Sequence, residues 1–297
     1  MEVVQAVERL NLALDRLPRP FGVVLTMGAL HAGHIALAEQ AREVKALGGS
    51  LLATIFVNPM QFGPKEDLSA YPRDLDGDLA KLGAAGADLV FTPTPEMMYP
   101  PGFQTSVEVG EVAHGLEGSR RPGHFKGVAT VVSKLLNLTR ADTAYFGQKD
   151  AQQVAVIKRM VRDLNMRTQV VVIPTVREAD GLAMSSRNAY LSEHQRRAAS
   201  VLNRALQAAG EAYERGERMP KVLRWIVQRE LVKEPLIEMD YVSAADARTL
   251  QELHDASEAP VLLSLAVRVG RTRLLDNCLL PLPLNNRTDL TAILGAG

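Results

Sequence analysis

Phe21-Gly22-Val23-Val24-Leu25-Thr26-Met27-Gly28-Ala29-Leu30-His31-Ala32-Gly33-His34 decides how this chain is read. Residues 21–25 are an apolar run of strand length, and residues 35–46 have the pattern of a helix. Between them lies a glycine-containing turn that carries two imidazoles three residues apart. Glycines let a ligand approach the backbone, and the N–H groups at a helix start attract anions. Paired histidines add hydrogen bonds to phosphate oxygens, so strand, turn and helix together point to nucleotide chemistry. Other uses of the turn stand beside that one. A zinc site needs three or four ligands, and here the single cysteine, Cys278, is remote and no carboxylate is near. Solvated loop histidines are the plainer alternative.

Working outward, the whole chain has the length of two domains, at 297 residues. Its 46% hydrophobic and 23% charged residues are those of an ordinary globular protein. The 34 basic and 34 acidic residues cancel, so nothing marks a nucleic-acid partner, and a small substrate fits better. One cysteine excludes an internal disulfide and suits a cytoplasmic location. Residues 1–17 read as an amphipathic helix, not a signal peptide, and no apolar run nears the ~20 residues of a membrane span.

Further strands are expected at 51–57, 88–91, 143–146 and 168–173, alternating with helices at 74–82, 128–138 and 151–164. That order predicts an α/β fold, a mostly parallel sheet with helices on both faces. Ligands of such sheets sit beyond the carboxyl ends of the strands, where the histidine turn lies. Residues 103–109 alternate as a peripheral strand would. Beyond Ser186 the pattern changes to helices at 193–215 and 221–232, then strands at 238–243 and 261–269 and a short apolar stretch at 274–276. A smaller α+β C-terminal domain is expected, with residues 281–297 as a tail of little order. The boundary is placed at 176/177.

Three other segments carry chemistry. Asn58-Pro59-Met60-Gln61-Phe62 follows the second strand, and the Gln61 amide suits a hydroxylated substrate, although a solvent-facing loop would read the same. Gly147-Gln148-Lys149-Asp150 precedes a helix that carries Gln152 and Gln153. Asp150 has the type of an N-cap, and Lys149 at a helix start opposes the dipole unless an anion binds there. Asp180-Gly181-Leu182-Ala183-Met184-Ser185-Ser186-Arg187-Asn188 offers two hydroxyls and a guanidinium for a pyrophosphate, although a serine-capped linker would read the same. His124 reads as an anion contact or as part of a surface turn; His114, His194 and His254 have no informative context.

Taken in order, Thr-Met-Gly-Ala-Leu-His at 26–31, Phe-Val-Asn-Pro-Met-Gln-Phe at 56–62, Arg-Pro-Gly-His-Phe-Lys-Gly-Val at 121–128 and Asp-Gly-Leu-Ala-Met-Ser-Ser-Arg-Asn at 180–188 resemble the pantothenate synthetase (pantoate–β-alanine ligase) family of the nucleotidyltransferase superfamily. The resemblance implies a Rossmann-like domain over 1–176, a small lid domain over 177–297 and a homodimer. It implies that ATP, (R)-pantoate and β-alanine give AMP, pyrophosphate and pantothenate through a pantoyl adenylate, with Mg²⁺ accompanying ATP. By the same resemblance Met27, Gly28, Ala29, Leu30, His31, Ala32, Gly33 and His34 hold ATP, completed by Gly147, Gln148, Lys149, Asp150, Val176, Met184, Ser185, Ser186 and Arg187. His34 is then catalytic, with His31, Lys149, Ser185, Ser186 and Arg187 beside it. Gln61 and Gln153 would bind pantoate; no Mg²⁺ ligand is assigned.

The chain departs from the family pattern at Leu25, where proline is usual, and at Gln148, where glutamate is frequent. Its tail beyond Asn277 is also long. Two rival readings share the phosphate cradle: another small-molecule nucleotidyltransferase, and a nucleotide sensor without activity.

Overall fold

Residues 21–25 are apolar on both faces, which a strand tolerates only where helices cover both sides of its sheet. A computed structural model describes residues 1–64, 66 and 68–297, the Pro283 side chain excepted, and shows that setting. Six strands, β1 (Glu2–Val4), β2 (Phe21–Thr26), β3 (Ser50–Ile55), β4 (Leu89–Phe91), β5 (Thr143–Gly147) and β6 (Gln169–Ile173), form one sheet in the order β1-β4-β3-β2-β5-β6. β2 runs parallel to β3 from Phe21↔Ser50 to Thr26↔Ile55, and parallel to β5 on its other side. Val23, Val24, Leu51, Leu52, Ala144 and Tyr145 are buried. The Tyr145 hydroxyl reaches Glu43 Oε1 at 2.8 Å, so the one polar atom on that ring is not stranded in the core.

The chain divides into two compact units, residues 1–146 with 156–173, and residues 147–155 with 174–297. The second has a three-stranded antiparallel sheet, β7 (Ile237–Asp246), β8 (Val261–Val269) and β9 (Thr272–Leu280), in that order. Helices Val201–Glu214 and Pro220–Val232 present Leu202, Leu206, Leu223, Val227 and Leu231 to a core shared with Leu263, Leu265 and Val267. The expected helix over 193–215 is two helices, Glu193–Ala199 and Val201–Glu214.

Three expectations give way. Residues 1–17 are not one helix: Glu2–Val4 pairs with Leu89–Phe91 as an edge strand, and only Val7–Leu14 is helical. The parallel ladder along β4 offers those residues backbone partners that no local pattern records. Residues 103–109 form no strand; the Val107 N–H donates to Thr130 Oγ1 at 3.0 Å instead of to a ladder. Residues 281–297 are ordered, with a turn at Leu282–Leu284 and a helix at Arg287–Ile293 that buries Leu290 and Leu294. A mix of Pro, Asn and Gly reads as a tail, yet Leu290 and Leu294 are both fully buried in the fold.

Candidate active site

The histidine turn is built from the backbone outward. Gly28 and Ala29 both take positive φ, +85° and +52°, which turns their neighbours' N–H groups to one side. At Ala29 this conformation costs a non-glycine residue about 1 kcal/mol. The compensation is Asp78, 1% exposed, whose two carboxylate oxygens accept from Ala29 N at 2.8 Å and Leu30 N at 2.7 Å. Lys81, one turn further along the same helix (Leu75–Ala84), donates to the Leu30 carbonyl at 2.8 Å. Neither residue was singled out in the sequence. The spacing of Asp78 and Lys81 marks an ordinary helix-surface ion pair, and only the fold brings both beneath the turn.

The helix that follows begins at Ala32, not at residue 35, because the histidines cap it. His31 Nδ1 accepts from Gly33 N at 3.1 Å, and His34 Nδ1 receives the His31 N–H in a longer contact of 3.4 Å. A ring nitrogen facing an N–H must be unprotonated, so each neutral ring carries its proton on Nε2. The ring centroids lie 4.1 Å apart, with the planes tilted by 40°. Two imidazole N–H donors are thereby held side by side at a helix N-terminus, an arrangement suited to phosphate oxygens.

The same unit places the Asn58–Gln61 turn against this loop. Gln61 Nε2 lies 3.0 Å from Met27 Sδ, while Gln61 Oε1 accepts from Asn58 Nδ2 at 3.0 Å. Asn58 is fully used: Nδ2 also donates to the Gly127 carbonyl at 3.2 Å, and Oδ1 accepts from Met60 N and from the Tyr99 hydroxyl, the latter at 2.7 Å. A side chain on Gly127 would run into the Met60 carbonyl, so this close approach needs glycine. Gln61 is therefore not a solvent-facing loop residue. Burial pushes the Tyr99 phenol up to about 12, which keeps it a donor.

His124 is neither a surface-turn residue nor open to an anion. It is 8% exposed; Arg121 Nη1 donates to its Nε2 at 3.0 Å, and its Nδ1–H donates to the Gln61 carbonyl at 2.9 Å. An arginine has no acceptor, so the tautomer is fixed. Burial first, and then the Arg121 charge, lower the imidazole to about 4. Glu66 takes Arg121 in a two-pronged pair with both contacts at 2.7 Å. Burial raises the Glu66 carboxyl, but the bond and charge of Arg121 outweigh it and leave it below its usual range.

The second unit holds the remaining residues. Gln148–Asp150 is a 3-10 turn that runs into helix Ala151–Asp163, which carries Gln152 and Gln153. The Lys149 ammonium lies 3.8 Å from Asp150. Asn277 of β9 donates to the Gln148 and Lys149 carbonyls at 3.2 and 2.9 Å, fixing the turn from below. Met184 N donates to Val176 O at 3.0 Å, so these two residues are neighbours across a narrow hairpin closed by an Arg177↔Ala183 bridge. Ser185 then caps the 3-10 turn Ser186–Tyr190 by accepting from Arg187 N at 3.2 Å. The hairpin is anchored by Arg177, which pairs with fully buried Asp276 at 2.6 and 3.0 Å and donates to the Gly181 carbonyl. Arg196 secures its other side through Glu178 and Asp180. Asn277, Asp276 and Arg177 carry no sequence signal, since their roles arise from strand register.

Among the described residues, no three His, Cys, Asp or Glu side chains gather to hold a metal ion, and no helix is long and apolar enough to cross a membrane. The sheet topology is that of the family that the sequence resembles. The family model described as pantoate-beta-alanine ligase matches residues 2–279. The chain belongs to this family.

A protein of Herpetosiphon aurantiacus named pantothenate synthetase is 55% identical over 277 residues, covering 93% of this chain and 99% of its own. The crystal structure of pantothenate synthetase from Thermus thermophilus superposes with a TM-score of 0.88 at 45% identity, covering 93% of this chain and 98% of that one. A pantoate-beta-alanine ligase from Francisella tularensis, complexed with beta-gamma ATP and beta-alanine, has a TM-score of 0.75 at 32% identity, covering 94% and 97%. The expected α/β fold, a parallel sheet with helices and a smaller α+β region, is borne out.

Proposed function

We propose that this chain uses ATP to condense (R)-pantoate with β-alanine, releasing AMP and pyrophosphate through a pantoyl adenylate. Family membership supports the reaction class. The observation that carries it to residues is the reciprocal cap of His31 and His34, which holds two Nε2–H donors at a helix start.

Pantoate supplies the nucleophile. Its carboxylate is ionised near neutral pH and needs no general base to attack the α-phosphorus. The first step therefore depends on positioning and on stabilising charge as pyrophosphate leaves. In the first unit, His31 and His34 would donate to the phosphates over the 27–34 loop. In the second, Lys149, Ser185, Ser186 and Arg187 are the groups that would act on the phosphates, and Gly147, Gln148, Asp150, Val176 and Met184 the further residues that would contact ATP. Gln61 and Gln153 would orient pantoate; Gln61 is supported for this by the bonds that fix both its amide and its carbonyl. In the second step the β-alanine amine attacks the adenylate carbonyl and AMP leaves.

Mg²⁺ would enter with the triphosphate, whose oxygens suit it; bound there it would neutralise phosphate charge. We place the enzyme in the cytoplasm as a homodimer on the basis of its family, and light scattering in solution tests the assembly. The decisive experiment measures pyrophosphate and AMP from ATP and pantoate, with and without β-alanine. A burst of pyrophosphate without the amine, and steady AMP release only with it, is expected. His34→Ala should lose at least ~10²-fold in turnover while staying folded. ATP binding without turnover would refute the reading, as would AMP release that ignores β-alanine.

A further inference from the structure

The family match ends at residue 279, yet the chain continues and folds. Asn285 stands six residues beyond that limit, and every hydrogen-bonding function of its amide is used. Its Oδ1 accepts from Leu279 N and from Gln148 Nε2, both at 2.8 Å. Its Nδ2 donates to the Leu279 carbonyl at 2.6 Å and to the Leu282 carbonyl at 2.8 Å. A flipped amide would face N–H to N–H, so the orientation is determined.

Gln148 is 2% exposed and immediately precedes Lys149. Its Nε2 goes to Asn285, and its Oε1 faces the Thr175 N–H at 3.4 Å. The segment that brings Asn285 there is itself pinned. Leu290 and Leu294 are fully buried. Gly295 N donates to the Ala247 carbonyl at 2.9 Å, and Gly297 N to the Arg248 carbonyl at 3.0 Å. Gly295, at φ +67°, packs so closely that a Cβ there would come within 2.5 Å of Ala155 Cα, in the helix that carries Gln153. The segment thus grips the turn at Gln148 and the helix after it at Ala155.

We propose that residues 281–297 brace the Gln148–Asp150 turn, with Asn285 as a positioning residue that sets Lys149 for its work on the phosphates. This rests on the ATP role given to Lys149 above. Asn277 holds the carbonyls of the turn, and Asn285 holds the side chain that fixes its rotation. Because small displacements of a catalytic group are costly in rate, loss of the brace acts on turnover and not only on stability.

The test is a cycle of full-length variants, Asn285→Ala, Lys149→Ala and the double, assayed by single-turnover pyrophosphate release at saturating ATP. Gln148→Met accompanies them, since it removes the link to the turn and leaves Asn285 bonded to Leu279 and Leu282. Asn285→Ala and Gln148→Met are expected to lower the single-turnover rate roughly 10-fold, and the same assay run across ATP concentrations should show the half-saturating ATP concentration of Asn285→Ala little changed. In the Lys149→Ala background, Asn285→Ala should have no further effect. An unchanged rate in Gln148→Met overturns the brace, as does an equal loss from Asn285→Ala in both backgrounds. Full activity in Lys149→Ala overturns the underlying role of the lysine, and that result is read from the single variant alone.

Discussion

Replacing Asp78 by asparagine tests the reasoning about the histidine turn most directly. The carboxylate accepts two backbone N–H bonds, at 2.8 Å from Ala29 and 2.7 Å from Leu30. Bonds to a charged acceptor contribute about 1.5–3 kcal/mol each. Asparagine keeps one oxygen, so one bond survives in weaker neutral form, and its NH₂ turns toward the other N–H. Losing one bond and weakening the second costs about 3 kcal/mol. The Lys81 ammonium, 3.9 Å away and nearly half exposed, adds little after screening. Without the clamp the positive-φ geometry of Ala29 has no compensation, and the His31–His34 cap is displaced with it. Calorimetry should show the melting temperature falling by roughly 6–12 °C. Pyrophosphate release should fall about 10²-fold in the protein still folded at assay temperature. Lys81→Met, which removes one partly exposed bond, should lose about 1 kcal/mol or less. An Asp78→Asn protein that melts and turns over as the parent does would refute the argument.

Acid should destabilise the fold through His124. Its folded value of about 4 lies below the 6.5 of a free imidazole, so between those values the unfolded chain binds a proton that the native chain does not. Its contribution is complete above about pH 6.5 and is lost as the pH falls toward 4, about 3 kcal/mol in all. His124→Gln should flatten the difference in unfolding free energy between pH 7 and 4.5; an unchanged slope would assign the acid sensitivity to other groups. Arg177→Met leaves the buried Asp276 carboxylate unpaired and should cost about 3–5 kcal/mol in denaturant unfolding. Removing both charges with Asp276→Leu should recover most of it, and a single variant within 1 kcal/mol of the parent would show that the pair does not anchor the hairpin.

Much of this protein was legible in its sequence because the responsible interactions are local. The apolar runs of β2, β3, β5 and β6 are continuous, as strands buried on both faces require, and they fell within one residue of their observed limits, except at the end of β3, which stops two residues earlier than expected. Residue type and spacing marked the histidine turn, the Asn58–Gln61 loop and the serine hairpin as candidate site segments. Their supports did not. Asp78, Tyr99, Arg177, Asp276, Asn277 and Asn285 look like ordinary polar residues, because what makes them matter is a partner supplied by folding: Asp78 and Ala29 are 49 positions apart, and Asn285 and Gln148 are 137 apart. The same reason explains β1 and the ordered C-terminal segment, whose few apolar residues gain their value from a sheet edge and a groove built elsewhere in the chain. Local pattern thus singled out the candidate groups. Tertiary structure decided how they are held, since a buried hydrogen bond needs both of its ends and the sequence displays only one at a time.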